Sequence, residues 1–179
     1  METSLINQIW MHATASTSAP TVPAKYANVS AWSGAKSFGS KQNGADFNLA
    51  AGTVDVAGIQ EDFGVRPARG KAFAGVIQLF RAIEMIEFDV LDASEALFTL
   101  DSQFSIASNI GTHDEEVTNR SLLIEVTGLY YDYYPSCKVT VAPPQAGYAE
   151  ELGVCRVTCK PIATTSFVAG YKRYWYQAA

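Results

Sequence analysis

The chain has 179 residues, 48% of them hydrophobic and 17% charged, a globular composition with room for one well-packed domain rather than two. Acids outnumber Lys plus Arg by 18 to 13, and the resulting net charge of −5 argues against a surface built to grip nucleic-acid phosphates. No stretch approaches eighteen apolar residues, so no membrane-spanning helix is expected, and the opening METSLINQIW lacks the basic segment of a secretory leader.

Residues 1–25 read as an extended N-terminal arm, rich in Ala, Ser, Thr and Pro from Ala13 to Ala24. Residues 26–179 read as a single domain. Tyr26 to Trp32 has short-strand character, and Ser33 to Gly44 (SGAKSFGSKQNG) reads as a long polar loop. Val54, Val56 and Ile59 nearly alternate, with Asp55 opposite, which predicts a half-buried strand. Phe63 to Lys71 (FGVRPARGK) is a second loop that gathers Arg66, Arg69 and Lys71. Ala72 to Leu91 admits two readings. A helix aligns Phe73, Val76, Ile77, Phe80 and Ile83, then meets Glu84 and Glu87. A strand aligns Ile77, Leu79, Ile83 and Met85, then changes phase to Ile86, Phe88 and Val90. One extra residue near Met85 would produce that shift, and the bulged strand is preferred.

Asp92 and Glu95 have capping-box spacing, so Asp92 to Leu100 is the best candidate for a helix. Ser108 to Asn119 reads as a loop with turn formers Asn109, Gly111 and Asp114. From Ser121 to Val126, Leu122, Ile124 and Val126 share one face of a strand, and Leu123 and Glu125 share the other. Tyr130, Tyr131, Tyr133, Tyr134 and Pro135 form an aromatic hinge before a strand over Lys138 to Val141. The turn APPQAG precedes a C-terminal pair of strands, Gly153 to Ile162 and Ser166 to Tyr176. In the latter, Tyr171, Arg173 and Trp175 share one face, and Lys172, Tyr174 and Tyr176 the other. Short strands with one helix and no βαβ rhythm predict a mainly β fold: a β-sandwich or barrel-like domain with one flanking α-helix and long extended loops.

Reactive groups are sparse. Cys137, Cys155 and Cys159 are odd in number and lack a fourth metal ligand, so buried free thiols are expected. His12 and His113 lie far apart in sequence, and no Gly-x-Ser-x-Gly elbow accompanies them. His113 with Asp114, Glu115 and Glu116 reads as a solvated acidic loop. Glu84 and Glu87, three apart on a strand, would point to opposite faces, against a glycosidase pair. Accordingly no catalytic residue, cofactor or metal ligand is assigned, and no enzymatic activity is expected. The basic loop is either plain solvated surface or a partner for acids on a neighbouring subunit. The tyrosines alternate, so both faces of their strand need cover, from ordinary packing or from a second subunit.

The succession TNRSLLIEVTG, YYDYYPSCKVTV, a Pro-rich turn, CRVTCKPIAT and a closing aromatic strand resembles the major tail tube proteins of long-tailed, siphovirus-like bacteriophages, mainly over Thr118 to Tyr176. In that family an alternating strand that opens on Arg, here Arg120 to Val126, leads to an aromatic–Pro hinge, here Tyr133 to Pro135. A strand of alternating valines, here Val139 and Val141, follows. The resemblance implies a β-sandwich flanked by a helix and six-copy rings whose inner wall is a continuous barrel. Long loops and arms stack the rings into a tube that DNA passes through without specific binding. It further implies no reaction, no cofactor, other tail proteins at the tube ends, and a virion tail assembled in the host cytoplasm. In that setting Ser33 to Gly44 and Phe63 to Lys71 are candidate ring-bridging loops. Arg66, Arg69, Lys71, Tyr133, Tyr134 and Trp175 are candidate inter-subunit contacts. Asp55, Glu84, Glu87 and Asp89 are candidate lumen-facing acids, whose charge suits a channel that must not hold DNA. The alternatives are another β-rich virion component (a tail terminator, adaptor or decoration protein) and a small β-sandwich carbohydrate-binding module.

Overall fold

Period-two patterning becomes a curled, mainly antiparallel sheet in the computed structural model, which describes residues 6–16, 32–50, 53–60, 81–108, 110–126, 130–143, 154–168 and 170–175, with backbone alone at 6–7, 55–60, 81–84 and 126. The strands are β1 (Ile6–His12), β2 (Ala35–Gly39), β3 (Phe47–Asn48), β4 (Asp55–Gln60), β5 (Arg81–Val90), β6 (Phe104–Ala107), β7 (Ile110–His113), β8 (Arg120–Val126), β9 (Tyr130–Ala142), β10 (Cys155–Pro161) and β11 (Lys172–Trp175). One short helix, α1 (Glu95–Phe98), lies between β5 and β6. The main sheet runs β3-β2-β1-β8-β9-β10-β5-β4, with β11 also paired to β9, while β6 and β7 form a separate hairpin. Among the described residues, only β2 and β3 pair in parallel. Among the described residues the fold is mainly β with one flanking α-helix, as the sequence predicts.

The sheet curls into a barrel-like shape because one face is apolar along almost its whole width. Ile9 and Met11, Phe38, Phe47, Ile86 and Phe88, Leu122 and Ile124, Val139 and Val141, and Val157 all enter one core. Burial of such side chains contributes about 1.5–3 kcal/mol each, so the sheet gains by wrapping that face inward. Four strands separate β2 from β5, yet the rings of Phe38 and Phe88 meet at 5.1 Å. The curl closes at one end. Leu49 bridges Val90, Leu91 N–H donates to Asn48 O (2.9 Å), and Ala50 N–H donates to Asp89 O (2.9 Å). The chain from β3 to β4 therefore starts beside β2 and finishes beside β5, forming the seam.

β9 is long because it bends. Arg120 opposes Cys137 and Leu122 opposes Tyr134, so Pro135 and Ser136 face Ser121 alone. Pro135 has no N–H to give a ladder and occupies this bulge. Its carbonyl accepts from Ser121 Oγ (3.0 Å) and from the backbone of Ser16 (3.0 Å). Beyond the bend, the β9 edge is held by the turn after α1. Ser102 Oγ accepts from Val139 N–H (2.8 Å) and an Asp101 carboxylate oxygen accepts from Val141 N–H (2.8 Å). A four-residue helix has no stability of its own. Here Leu97 and Leu100 are buried in the core, and Ser94 accepts from Leu97 N–H at 3.3 Å.

Several expectations are corrected. Ile6–His12, read as part of an arm, is a strand between β2 and β8, with Ile9 and Met11 in the core. Asn7 and Gln8 interrupt its apolar run and hide the pattern. The polar loop Ser33 to Gly44 contains β2, a strand whose ladder is made by backbone and whose apolar anchor is Phe38. The loop Ser108 to Asn119 contains β7, exposed at all four positions. Asp92 is not the helix cap. It accepts from Asn48 N–H (2.6 Å) and Lys41 Nζ (2.9 Å), and so ties the seam to the helix entry. The bulge near Met85 is present: Ala57 opposes Met85 and Gly58 opposes Ile83, so Glu84 is the extra residue. The expected strand at Tyr26 to Trp32 lies outside the described residues except for Trp32, and residues 72–80 lie outside them altogether.

Candidate functional site

The aromatic segment is the first candidate. The first half of β9 is paired on both edges, to β8 on one side and β11 on the other. Alternation sends Tyr131 and Tyr133 to the outer face, where they pack with Trp10, Leu123 and Phe167 in a second buried cluster. The cover comes from the excursion between β10 and β11. Gly170, at φ 80, turns the chain back and donates to Phe167 O (2.8 Å), which sets Phe167 against Tyr133 at 6.0 Å. Trp32 meets Tyr133 at 5.7 Å, and Tyr174 stacks on Tyr131 at 5.2 Å. The Tyr133 hydroxyl donates to Ser16 O (2.6 Å). Tyr134 points into the core and stacks on Tyr171 at 5.4 Å.

Burial sets the acidity of these phenols. It pushes Tyr131 up to about 12, with a smaller contribution from Tyr174. Burial raises Tyr133 as well, opposed by its hydrogen bonds to Ser121 and Ser16, and it raises Tyr134 far above the ordinary range. Tyr133 and Tyr134 have no exposed surface within one chain. For these two, the cover expected from a second subunit is supplied by the chain's own residues 16, 32, 167 and 171. Trp175 differs, being 61% exposed. It meets Tyr130 edge-on at 4.9 Å, and the Arg173 guanidinium lies 3.9 Å from the Tyr130 ring centre. Arg173 forks onto Asp132 at 2.7 and 2.8 Å, and those hydrogen bonds hold its pKa up despite burial. The result is a fixed cationic–aromatic surface at one barrel mouth.

The acids form the second candidate. On the sheet face opposite the core, Arg156 of β10 forks onto Asp89 of β5 at 2.9 and 3.3 Å, and Thr158 donates to Glu87 at 3.4 Å. Register places Asp55 opposite Glu87. Asp55, Glu87 and Asp89 thus occupy matching positions on one sheet face, while Glu84 is set apart by the bulge. On the same face Lys160 lies directly opposite Lys138, a like-charge pairing that disfavours the strands unless an anion approaches. The basic trio Arg66, Arg69 and Lys71 lies outside the described residues.

A third surface was not legible in the sequence. The β6–β7 hairpin stands beside α1 and pairs with no other strand among the described residues. Phe104 packs against Phe98 at 6.2 Å and lies across Gly111, where any Cβ would strike its ring. Between helix and hairpin runs an open groove of about 310 Å³ lined by Glu95, Phe98, Phe104, Ile106 and Gly111. At the hairpin end Ile110 is 65% exposed.

Nucleophiles and metal donors do not converge among the described residues. His12 Nδ1 meets the Thr14 backbone and hydroxyl (3.2 and 3.1 Å), and His113 is exposed on β7. No three His, Cys, Asp or Glu side chains among the described residues gather for a metal. Cys137, Cys155 and Cys159 are buried free thiols whose pKa values burial raises, which keeps them in the unreactive protonated form. No protein-family model matches the chain, and no curated protein matches it in sequence.

Proposed function

We propose that the chain is a structural subunit completed by copies of itself, a major tail tube protein of a long-tailed phage. In this reading it polymerises as stacked hexameric rings around a channel for DNA. The observation that carries the reading is the β6–β7 hairpin. A two-stranded hairpin is marginal in water, and its edges invite pairing. Here it projects with all of β7 exposed and an apolar end at Ile110. The outer edge of β4 supports the same reading, since among the described residues β4 pairs with β5 alone. The acids Asp55, Glu87 and Asp89, proposed for the channel wall, share their sheet face with Arg156, Lys138 and Lys160, so the reading rests on the strand edges rather than on the charge of that face. In this reading the protein is non-catalytic, works without a cofactor, meets other tail proteins at the tube ends, and resides in the virion tail after assembly in the host cytoplasm.

Electron microscopy of the purified chain tests the reading. Hollow tubes or rings of uniform diameter are expected, and a monodisperse monomer at high concentration refutes it. A second reading, a small carbohydrate-binding module, is favoured by the exposed Trp175 beside Tyr130 and the Arg173–Asp132 fork. It requires a monomer that binds glycans through that surface and loses the binding on Trp175→Ala.

A further inference from the structure

We propose that the groove between α1 and the β6–β7 hairpin receives the basic segment Phe63–Lys71 of a second copy, so that copies join head to tail. This inference rests on the self-assembly reading and assigns its two mating surfaces. The groove floor is apolar, from Phe98, Phe104 and Ile106, with Glu95 on its wall. The whole stretch from Asp92 to Asn119 carries six acids and no Lys or Arg. Asp92 and Asp101 are consumed internally by Lys41, Asn48, Gln103 and Val141. Glu95, Glu115 and Glu116 are exposed, and Asp114 lies at the hairpin base, where it accepts from Ser105 (3.0 Å). This surface therefore asks for a ligand with apolar side chains and several cations.

Phe63–Lys71 offers that chemistry: Phe63, Val65 and Pro67 interleaved with Arg66, Arg69 and Lys71, and no acid. Charge complementarity of this kind sets the register and the encounter rate of two surfaces. The anchors of that segment and the groove lie at opposite ends of one strand. The segment 61–80 leaves and re-enters at Gln60 and Arg81, which pair with each other. The helix and hairpin follow from Val90, at the far end of β5, about 30 Å away at ~3.3 Å per residue. A donor at one end and an acceptor at the other give a heterologous contact. Such a contact repeats along an axis rather than closing on itself as a two-fold dimer does.

Charge-swap variants of the full chain test this by sedimentation velocity and electron microscopy. Glu95→Lys, Glu115→Lys and Glu116→Lys together are expected to raise the concentration needed for assembly by about tenfold, as are Arg66→Glu, Arg69→Glu and Lys71→Glu together. Combining both sets is expected to restore assembly. The altered acids are all exposed, and far-UV circular dichroism checks that the sheet is retained. If either set assembles as the wild type does, or the combination is as impaired as its parts, the groove assignment is overturned while the tube reading stands. A wild-type chain that never assembles overturns both.

Discussion

Arg120→Ala is expected to destabilise the chain by about 3 kcal/mol, although Arg120 forms no ion pair closer than 4 Å among the described residues. Its guanidinium gathers four carbonyls: Leu100 (3.2 Å), Thr99 (3.0 Å), Asp101 (3.3 Å) and Ala13. It thus joins the end of α1 to β8 and to the residues leaving β1. The Thr99 and Ala13 bonds are exposed, and water replaces them at little cost. The Leu100 and Asp101 bonds are partly buried, and two charge-assisted bonds at about 1.5 kcal/mol each give the expected loss. Arg120→Lys keeps the charge but not the planar fork, and is expected to recover about half. The control is Arg156→Ala. Arg156 pairs with Asp89, but its side chain is 58% exposed, so about 1 kcal/mol or less is expected. Urea unfolding followed by tryptophan fluorescence measures all three, with an unchanged m-value as the check that the comparison is two-state. If Arg120→Ala costs under about 1 kcal/mol, or no more than Arg156→Ala, the carbonyl cluster is not a structural anchor.

Three further outcomes follow from the packing. Because burial pushes the Tyr131 phenol up to about 12, the unfolded chain ionises first between the ordinary value of 10.0 and about 12. Stability is therefore whole below pH 10 and falls as pH rises through that window, and Tyr131→Phe is expected to flatten the loss in denaturant titrations at pH 9 and 11. Burial opposes ionisation of Asp92, but Asn48 N–H and Lys41 outweigh it and hold the carboxyl below its ordinary 3.8. Its contribution is present above that value and lost as pH falls through the folded one, so Asp92→Asn is expected to matter at pH 7 and to matter less as pH falls below 3.8, read by thermal melts. Gly111→Ala forces Phe104 off its seat and is expected to cost about 1–2 kcal/mol, seen as a lowered urea midpoint.

Strands carried by side-chain alternation were legible. Leu122 and Ile124 face one way and Leu123 and Glu125 the other because both faces of β8 are covered, and the phase change after Met85 marks the Glu84 bulge. Strands carried by backbone were not legible: β2 has Phe38 as its one large apolar residue, and β7 is exposed throughout. The tyrosines showed that two faces needed cover but not what covers them. Phe167 and Trp32 reach Tyr133 from positions 34 and 101 residues away, and local pattern carries no signal of such contacts. Arg120 was visible as a strand-opening cation, whereas its carbonyl partners Ala13 and Leu100 come from distant turns. Of the acids, alternation placed Glu87 and Asp89 on one face, and only the register with β4 brought Asp55 beside them.

The seam at Leu49 and Val90 is the short joint in the girth of this molecule. Among the described residues it holds by two backbone bonds, the Asp92 clasp and the Asp89 N–H bond to Thr53 Oγ1 (3.0 Å), laid over the Phe38–Phe88 contact. Parting the backbone bonds alone costs about 1–3 kcal/mol, but the packed rings of Phe38, Phe47 and Phe88 beneath them must part as well. The joint is therefore closed from within by its apolar filling, and the polar bonds along it set the alignment of the two margins.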